Sequence, residues 1–180
     1  YSMANAPHTL AIAAEGDTPA ANRIELHIRH MPGGKFTDHV FGAMKEKEIL
    51  RAEGPFGSFY LRECDKPIIM LASGTGFAPI KALLEHLQFT GSTRPVAVYW
   101  GGRRPRDLYM HDWMQAQAAQ MPNVHYVPVV SDALAEDNWL GRSGFVHMAV
   151  SHDFPDLSQH QVYACGAPFV VDSARELYTS

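Results

Sequence analysis

Pro67-Ile68-Ile69-Met70-Leu71-Ala72-Ser73-Gly74-Thr75-Gly76-Phe77-Ala78-Pro79 decides how this 180-residue chain is read. The apolar run 67–72 shows no alternation, the pattern of a strand buried on both faces. Gly74-Thr75-Gly76 follows it, and residues 79–89 read as a helix. Glycines between a buried strand and a helix let the backbone approach a pyrophosphate, while the helix N-terminus offers N–H donors and a positive dipole end. Pro79 suits a first helical turn, where its missing N–H costs nothing. The pattern is Gly-x-Gly-x-x-Pro, not the Gly-x-Gly-x-x-Gly of dehydrogenases. On its own it describes a tight strand-to-helix turn as well as a phosphate loop.

Downstream, the same texture recurs without a sequence repeat. Strands are expected over 95–100, 124–130 and 161–165, and helices over 111–120, 145–151 and 168–178. Alternating strands and helices imply right-handed crossovers and an α/β domain, a parallel sheet with helices on both faces. Ligands of such sheets sit at the carboxyl ends of the strands. Here those ends are 74–79, 101–104, Ser131-Asp132 and 165–168.

Upstream the texture differs. Ile24-Glu25-Leu26-His27-Ile28-Arg29 alternates like a half-buried strand. Met31-Pro32-Gly33-Gly34 is a turn, and Thr37 is placed to cap a short helix over 38–44. Glu48-Ile49-Leu50-Arg51-Ala52 and residues 58–61 are further strand candidates, separated by the turn Gly54-Pro55-Phe56-Gly57. Strands with one small helix predict part of an antiparallel β-barrel over 1–63, preceding the α/β domain over 66–180. The chain opens on Tyr1 without a basic leader or apolar h-region, and is read as a piece of a longer protein.

Composition narrows the function classes. Hydrophobic residues make up 46% and charged residues 19%, enough for a packed core. A net charge of -4 leaves no broad electrostatic footprint for nucleic acid, so the aromatic residues are expected in the core or as ligand platforms. No apolar run is long enough to span a bilayer. Two cysteines, Cys64 and Cys165, cannot furnish the four thiolates of an ordinary iron–sulfur cluster, nor a disulfide framework. A reducing, cytoplasmic setting is expected. Among ten histidines, His27 and His30 fall on opposite strand faces and His147 and His152 on different sides of a helix, so no metal site is expected.

The ordered series Tyr1-Ser2, Gly33-Gly34-x-x-Thr37, Gly54-Pro55-x-Gly57, Gly74-Thr75-Gly76-x-x-Pro79, Tyr99-Trp100-Gly101-Gly102-Arg103 and Cys165-Gly166-x-Pro168 resembles the ferredoxin–NADP reductase-like flavoenzymes. Within them it is similar to oxygenase reductase components, CDP-6-deoxyglucoseen reductases and NAD(P)H-flavin reductases. The resemblance implies that the barrel piece binds FAD. Tyr1 would stack on the isoalloxazine and Ser2 would hydrogen-bond near flavin N5. Gly33, Gly34 and Thr37 would hold the FAD pyrophosphate, with exposed backbone N–H groups as donors. His27, Ile28 and Arg29 would touch the AMP side. Gly74, Thr75, Gly76 and Pro79 would hold the nicotinamide nucleotide, and Cys165, Gly166 and Pro168 would lie beside the nicotinamide. Ser2 and Cys165 would therefore flank the hydride path.

At the second strand end, Gly102 and Arg103, with Arg104 and Arg106 beyond, are placed either to clamp a phosphate or to form a solvated loop. At the third, NADP-dependent members tend to carry Ser-Arg where this chain has Ser131-Asp132. An acid repels a 2′-phosphate and suits a free ribose, which favours NADH over NADPH. The implied function is a flavin-dependent NAD(P)H oxidoreductase that passes electrons to a redox partner, such as an iron–sulfur centre or an oxygenase component. Two other readings stay open: a reductase of free flavin, and a nucleotide-binding electron-transfer subunit without activity of its own. No general base is required, because hydride transfer belongs to the cofactors.

Overall fold

The computed structural model describes residues 1–12 and 21–179. Its centre is a five-stranded parallel sheet built from β3 (Ile68–Ser73), β4 (Val96–Gly102), β5 (Val124–Val130), β6 (Arg142–Ser143) and β7 (Gln161–Cys165). The strand order is β6-β5-β4-β3-β7. β3 is thus flanked by β4, reached through helix α2 (Phe77–Phe89), and by β7, which arrives last in the chain. The order reverses at β3, and the crevice of a doubly wound sheet opens at such a point.

The apolar run that opened the sequence reading is β3. Ile68, Met70 and Ala72 enter the core on one face, with Phe77, Ile80, Leu83, Leu84 and Leu87 of α2 and Met114 of α3 (His111–Gln120). Ile69 and Leu71 enter the core on the other face, with Val146, Ala149 and Val150 of α4 (Val146–Asp153) and Ala174 of α5 (Pro168–Tyr178). A strand covered by helices on both sides has no polar face to show, hence the absence of alternation. In α2, positions 80, 83, 84 and 87 repeat at helical spacing, and Pro79 is buried in the first turn, where no N–H is needed. The helix stops at Thr90 and Gly91, whose φ of +65° suits glycine.

The first sixty residues depart from expectation. The predicted strand over 24–29 is a single antiparallel bridge, Met3 to Leu26, flanked by Ala4 N–H donating to Glu25 O at 2.8 Å. The side chain of Asn5 explains why pairing goes no further. Its Oδ1 accepts from Glu25 N at 2.8 Å and its Nδ2 donates to Arg23 O at 3.1 Å, so an amide side chain occupies the ladder positions of a second backbone. The predicted strands at 48–52 and 58–61 are not formed either. Ile49 is 97% exposed, and no neighbouring strand takes its backbone groups among the described residues. The ladders present in this part are the two-residue pairing of β1 (Ala11–Ile12) with β2 (Ala21–Asn22) and that single bridge. Thr37 does not cap a helix over 38–44. It lies inside the short α1 (Lys35–Asp38), which passes into a π-type turn at His39–Ala43.

Two close approaches fix the crevice. A Cβ on Gly76 would stand 2.2 Å from Cys165 O, and one on Gly166 (φ +144°) would stand 2.6 Å from Ser73 Cβ and Ser73 O. Overpacking of this kind costs about 1–3 kcal/mol even where side chains can give, and here the obstacle is backbone. Gly76→Ala and Gly166→Ala are each expected to lower the thermal midpoint by several degrees, checked by calorimetry, whereas Gly74→Ala, whose Cβ meets nothing within 4 Å, strains only its φ of +54°.

His147, on α4, is 7% exposed; its Nδ1 finds no partner, and burial holds its imidazole below the ordinary value. Below about pH 6.5 the unfolded chain therefore takes up a proton that the folded one resists, and stability declines as pH falls. His147→Leu is expected to flatten that decline between about pH 7 and pH 5, measured as the difference in thermal midpoint from the parent at each pH.

Candidate functional site

The carboxyl ends of β3, β4 and β5 frame a cleft of about 470 Å³. Ser73 and Gly74 form one side, and Gly101, Gly102, Arg103, Arg104 and Ser131 another. Phe145, Val146 and Phe169, at the starts of α4 and α5, supply apolar wall, and Arg29 reaches in from the N-terminal part. Gly101 is glycine because a Cβ there would meet Val146 Cβ at 2.7 Å.

Sheet pairing continues beyond the strands and sets the charged groups. Ser131 N–H donates to Gly102 O, and Asp132 N–H to Arg103 O, each at 3.0 Å. The Asp132 carboxylate is thereby brought to Arg103 Nε at 3.0 Å and Arg104 Nη2 at 3.1 Å, both on Oδ2. Oδ1 has no partner among the described residues. Asp107 Oδ2 accepts the amides of Arg103 and Arg104 at 3.0 and 2.8 Å and holds the loop shut. Arg104 Nη1 is buried without an acceptor. A guanidinium donor left unpaired in a cleft lined by Arg29, Arg103, Arg104 and Arg106 against Asp107 fits the oxygens of an anionic ligand, as a nicotinamide nucleotide would supply.

Of the residues expected to touch the nucleotide, Gly74, Gly102, Arg103 and Ser131 line this cleft, and Asp132 joins it through its arginines. Pro79 is buried in α2, and Gly76 is buried against Cys165. Cys165 pairs in register with Ala72, and Gly166 packs on Ser73, so the end of β7 does meet the Gly74 loop. Burial pushes the Cys165 thiol up, with the Gly166 amide opposing; it is a neutral thiol at ordinary pH, not a thiolate nucleophile. Pro168 starts α5. Thr75 is half-buried between the two glycines.

The residues expected to hold FAD are less concentrated. Tyr1 is 73% exposed and touches Phe36 edge-on, which leaves ring surface for stacking, and Ser2 beside it is exposed. The glycine amides expected as donors are engaged within the chain: Gly33 N–H donates to Asp38 Oδ2 at 3.0 Å and Gly34 N–H to Met31 O at 2.8 Å. The Thr37 hydroxyl is also spent, accepting from Met31 N and donating to Met31 O. These residues build the loop; the amides of Lys35 and Phe36, first in α1, carry no such bond. Gly34 is required by packing, since a Cβ would lie 2.6 Å from Thr37 Oγ1. His27 has both ring nitrogens committed, to Tyr109 Oη at 2.6 Å and Glu25 Oε1 at 2.9 Å. Ile28 is half-buried.

Several residues had no functional reading from sequence. Trp100, fully buried, stacks on Phe77 at 3.9 Å and donates Nε1–H to Gly74 O at 3.1 Å, so the core holds the phosphate-loop candidate directly. Lys81, 5% exposed, ties α2 to the N-terminal part. Phe145 and Phe169 gave no periodic signal, because helix starts carry none.

Two family models match the chain: an oxidoreductase FAD-binding domain over residues 9–60 and an oxidoreductase NAD-binding domain over 70–176. The chain is 43% identical over 175 residues to the CDP-6-deoxy-L-threo-D-glycero-4-hexulose-3-dehydrase reductase of Yersinia pestis, covering 97% of this chain and 49% of that protein. It is 32% identical over 161 residues to an NAD(P)H-flavin reductase of Vibrio harveyi, covering 87% of this chain and 67% of that one. The crystal structure of the Amycolatopsis cytochrome P450 reductase GcoB superposes with a TM-score of 0.83 at 28% identity, over 99% of this chain and 51% of that one. The chain thus spans about half the length of several relatives it matches. No helix among the described residues is long and apolar enough to cross a membrane. With its five-stranded parallel sheet behind a piece of an FAD-binding domain, the chain belongs to the ferredoxin reductase-like oxidoreductases that join FAD- and NAD-binding domains.

Proposed function

We propose that this chain is the reductase core of a flavin-dependent NAD(P)H oxidoreductase, divided into a flavin part over 1–63 and a nucleotide part over 66–180. The observation that carries the proposal is the cleft at the carboxyl ends of β3, β4 and β5, lined by arginines and holding a buried guanidinium nitrogen without an acceptor, beside the point where β3 and β7 end together. When bound, the cofactors supply the chemistry: hydride passes from NAD(P)H to FAD, and electrons leave for an acceptor.

The residues of this chain do the rest. Gly74, Thr75 and Gly76 let the backbone stand close to the nucleotide, and Arg103 and Arg104 neutralise its phosphates. Phe145 and Phe169 exclude water from one wall. Cys165 and Gly166 flank the nicotinamide side as neutral, compact groups, while Tyr1 supplies a stacking face and Ser2 a hydroxyl on the flavin side. Gly33, Gly34 and Thr37 shape the loop presented to the FAD pyrophosphate. His27 and Ile28 support the flavin part from behind, and Arg29 adds positive charge. The acceptor is an iron–sulfur or oxygenase-type redox partner; this is supported by relatives named as reductase components of dioxygenase systems, one of them with ferredoxin in its name. Two unpaired cysteines support a cytoplasmic setting.

The free Oδ1 of Asp132 is suited to accept from a ribose hydroxyl, and its Oδ2 restrains two arginines that would otherwise meet a 2′-phosphate. NADH is therefore the preferred donor. Internal use of the Gly33, Gly34 and Thr37 donors favours a second reading, in which flavin is held weakly and exchanged as a substrate.

The absorption spectrum tests both. FAD added to the purified chain and carried through gel filtration, then bleached anaerobically by NADH, is the expected result. Flavin that bleaches in the mixture but separates on the column supports the substrate reading, and no bleaching under either condition overturns the reductase proposal. Asp132→Ala is expected to raise the NADH concentration for half-maximal reduction about tenfold, the scale of one charge-assisted hydrogen bond, and to narrow the preference over NADPH. An unchanged ratio of the two nucleotides would remove Asp132 from that role.

A further inference from the structure

Lys81 is a buried cation that the proposed chemistry does not use. It lies on α2, about one turn beyond Phe77, and its side chain is 6% exposed. Its Nζ meets three acceptors: Ala4 O at 2.9 Å, Glu25 Oε2 at 3.2 Å and Glu85 Oε1 at 2.6 Å. An ammonium has three protons, so the group is saturated. The acceptors are anchored in turn. Glu85 Oε2 receives Ala6 N–H at 2.9 Å, and Glu25 Oε1 meets His27 Nε2. Burial would raise the Glu25 carboxyl, yet the bonds from His27 and Lys81 outweigh it and hold the group below its ordinary value.

From His27 the contacts return to the nucleotide loop. Its Nδ1 meets Tyr109 Oη at 2.6 Å, the Tyr109 ring stands edge-on to Trp100 at 5.2 Å, and Trp100 Nε1–H donates to Gly74 O. The ring of contacts Gly74–Trp100–Tyr109–His27–Glu25–Lys81 closes through α2, which begins just after Gly74–Gly76. Along the same segment, Tyr1 is only three residues from Ala4, at most about 10 Å of chain. The flavin side and the nicotinamide side are thus tied together by a circuit of hydrogen bonds and ion pairs with one aromatic edge contact in it, and the link from Ala4 and Glu25 to α2 is polar throughout.

We propose that Lys81 is a positioning residue for hydride transfer: its ammonium locks the segment carrying Tyr1 and Ser2 onto α2 and sets the spacing between the two cofactor sides. This rests on the functional reading above. A lysine used only to fill space would be replaceable by an apolar side chain of the same length. A buried ion cluster is tolerated where it specifies one arrangement. Hydride transfer is the step most sensitive to such spacing, since a misplacement of about 1 Å can cost about a hundredfold in rate.

The test uses Lys81→Met and the milder Glu25→Gln in the FAD-loaded protein, with two readouts. In hydrogen exchange, the amides of Ala4, Ala6 and Glu25 are expected to lose protection while those of β3 and α2 keep theirs. In anaerobic rapid mixing with NADH, the limiting rate of flavin bleaching is expected to fall about tenfold or more, with half-saturation by NADH changed by less than about twofold. Loosened exchange with an unchanged limiting rate overturns the proposal, as do unchanged exchange and a parallel loss of NADH affinity, FAD retention and rate, the signature of general destabilisation. Should Lys81→Met not fold, Glu25→Gln, which removes one leg of the cluster, carries the same outcomes. A parent protein that NADH does not reduce overturns the functional reading and this role with it, and is distinguished by failing before any substitution is made.

Discussion

Everything in the nucleotide part depends on one contact of backbone with backbone. Strands β3 and β7 lie side by side, and the chain leaving each one crosses the other's end with no side chain between them. Gly76 sits on Cys165 O and Gly166 on Ser73 O because nothing larger fits. From that approach follows the rest: α2 and α5 start at one crevice, the helices fall on opposite faces of the sheet, and Gly74 is left with open space above its Cα. Two helix N-termini and a bare loop at one place form a natural seat for an anion.

The second half of that seat comes from β4 and β5, and its energetics are those of geometry. Arg103 is 75% exposed, so its pair with Asp132 adds about 0–1 kcal/mol to stability. Arg104 is 19% exposed and has a nitrogen with no acceptor, an arrangement that costs about 1–3 kcal/mol until something fills it. A fold under selection for stability alone would not keep such a group. Asp107, gripping two successive amides, keeps both guanidinium groups where the third strand brings Asp132.

The legible part of the sequence was the part whose pattern reports burial on its own. β3 is apolar without alternation because helices cover both of its faces, and that condition is local to six residues. Alternation at 24–29 reports only that one face is covered; it does not say what supplies the ladder. Here Asn5 supplies it with a side chain, and the strand reduces to a bridge. Thr37 stood where a cap belongs, yet its hydroxyl closes the preceding turn onto Met31. Lys81 and Glu85 stand four apart on a helix, a spacing that a solvated pair shares with a buried one. Their burial comes from Ala4, Ala6 and Glu25 folding over them, contacts 56 to 79 residues distant that no window of sequence contains.

Trp100 shows how core and site are joined. Its ring is fully buried and stacked on Phe77, the first residue of α2, so truncating it would forfeit packing before any ligand is considered. The one polar atom of that ring donates to Gly74 O, which fixes the carbonyl of the loop's first glycine and keeps its left-handed φ of +54° defined. Its other edge receives Tyr109, and through it His27. A purely apolar residue would satisfy the core equally well but would leave the Gly74 carbonyl without its donor. Indole is the side chain that packs like a core residue and still carries a donor. The same atom group that stabilises the sheet therefore sets the loop, and the rigidity of the proposed nucleotide seat is inherited from the core beneath it.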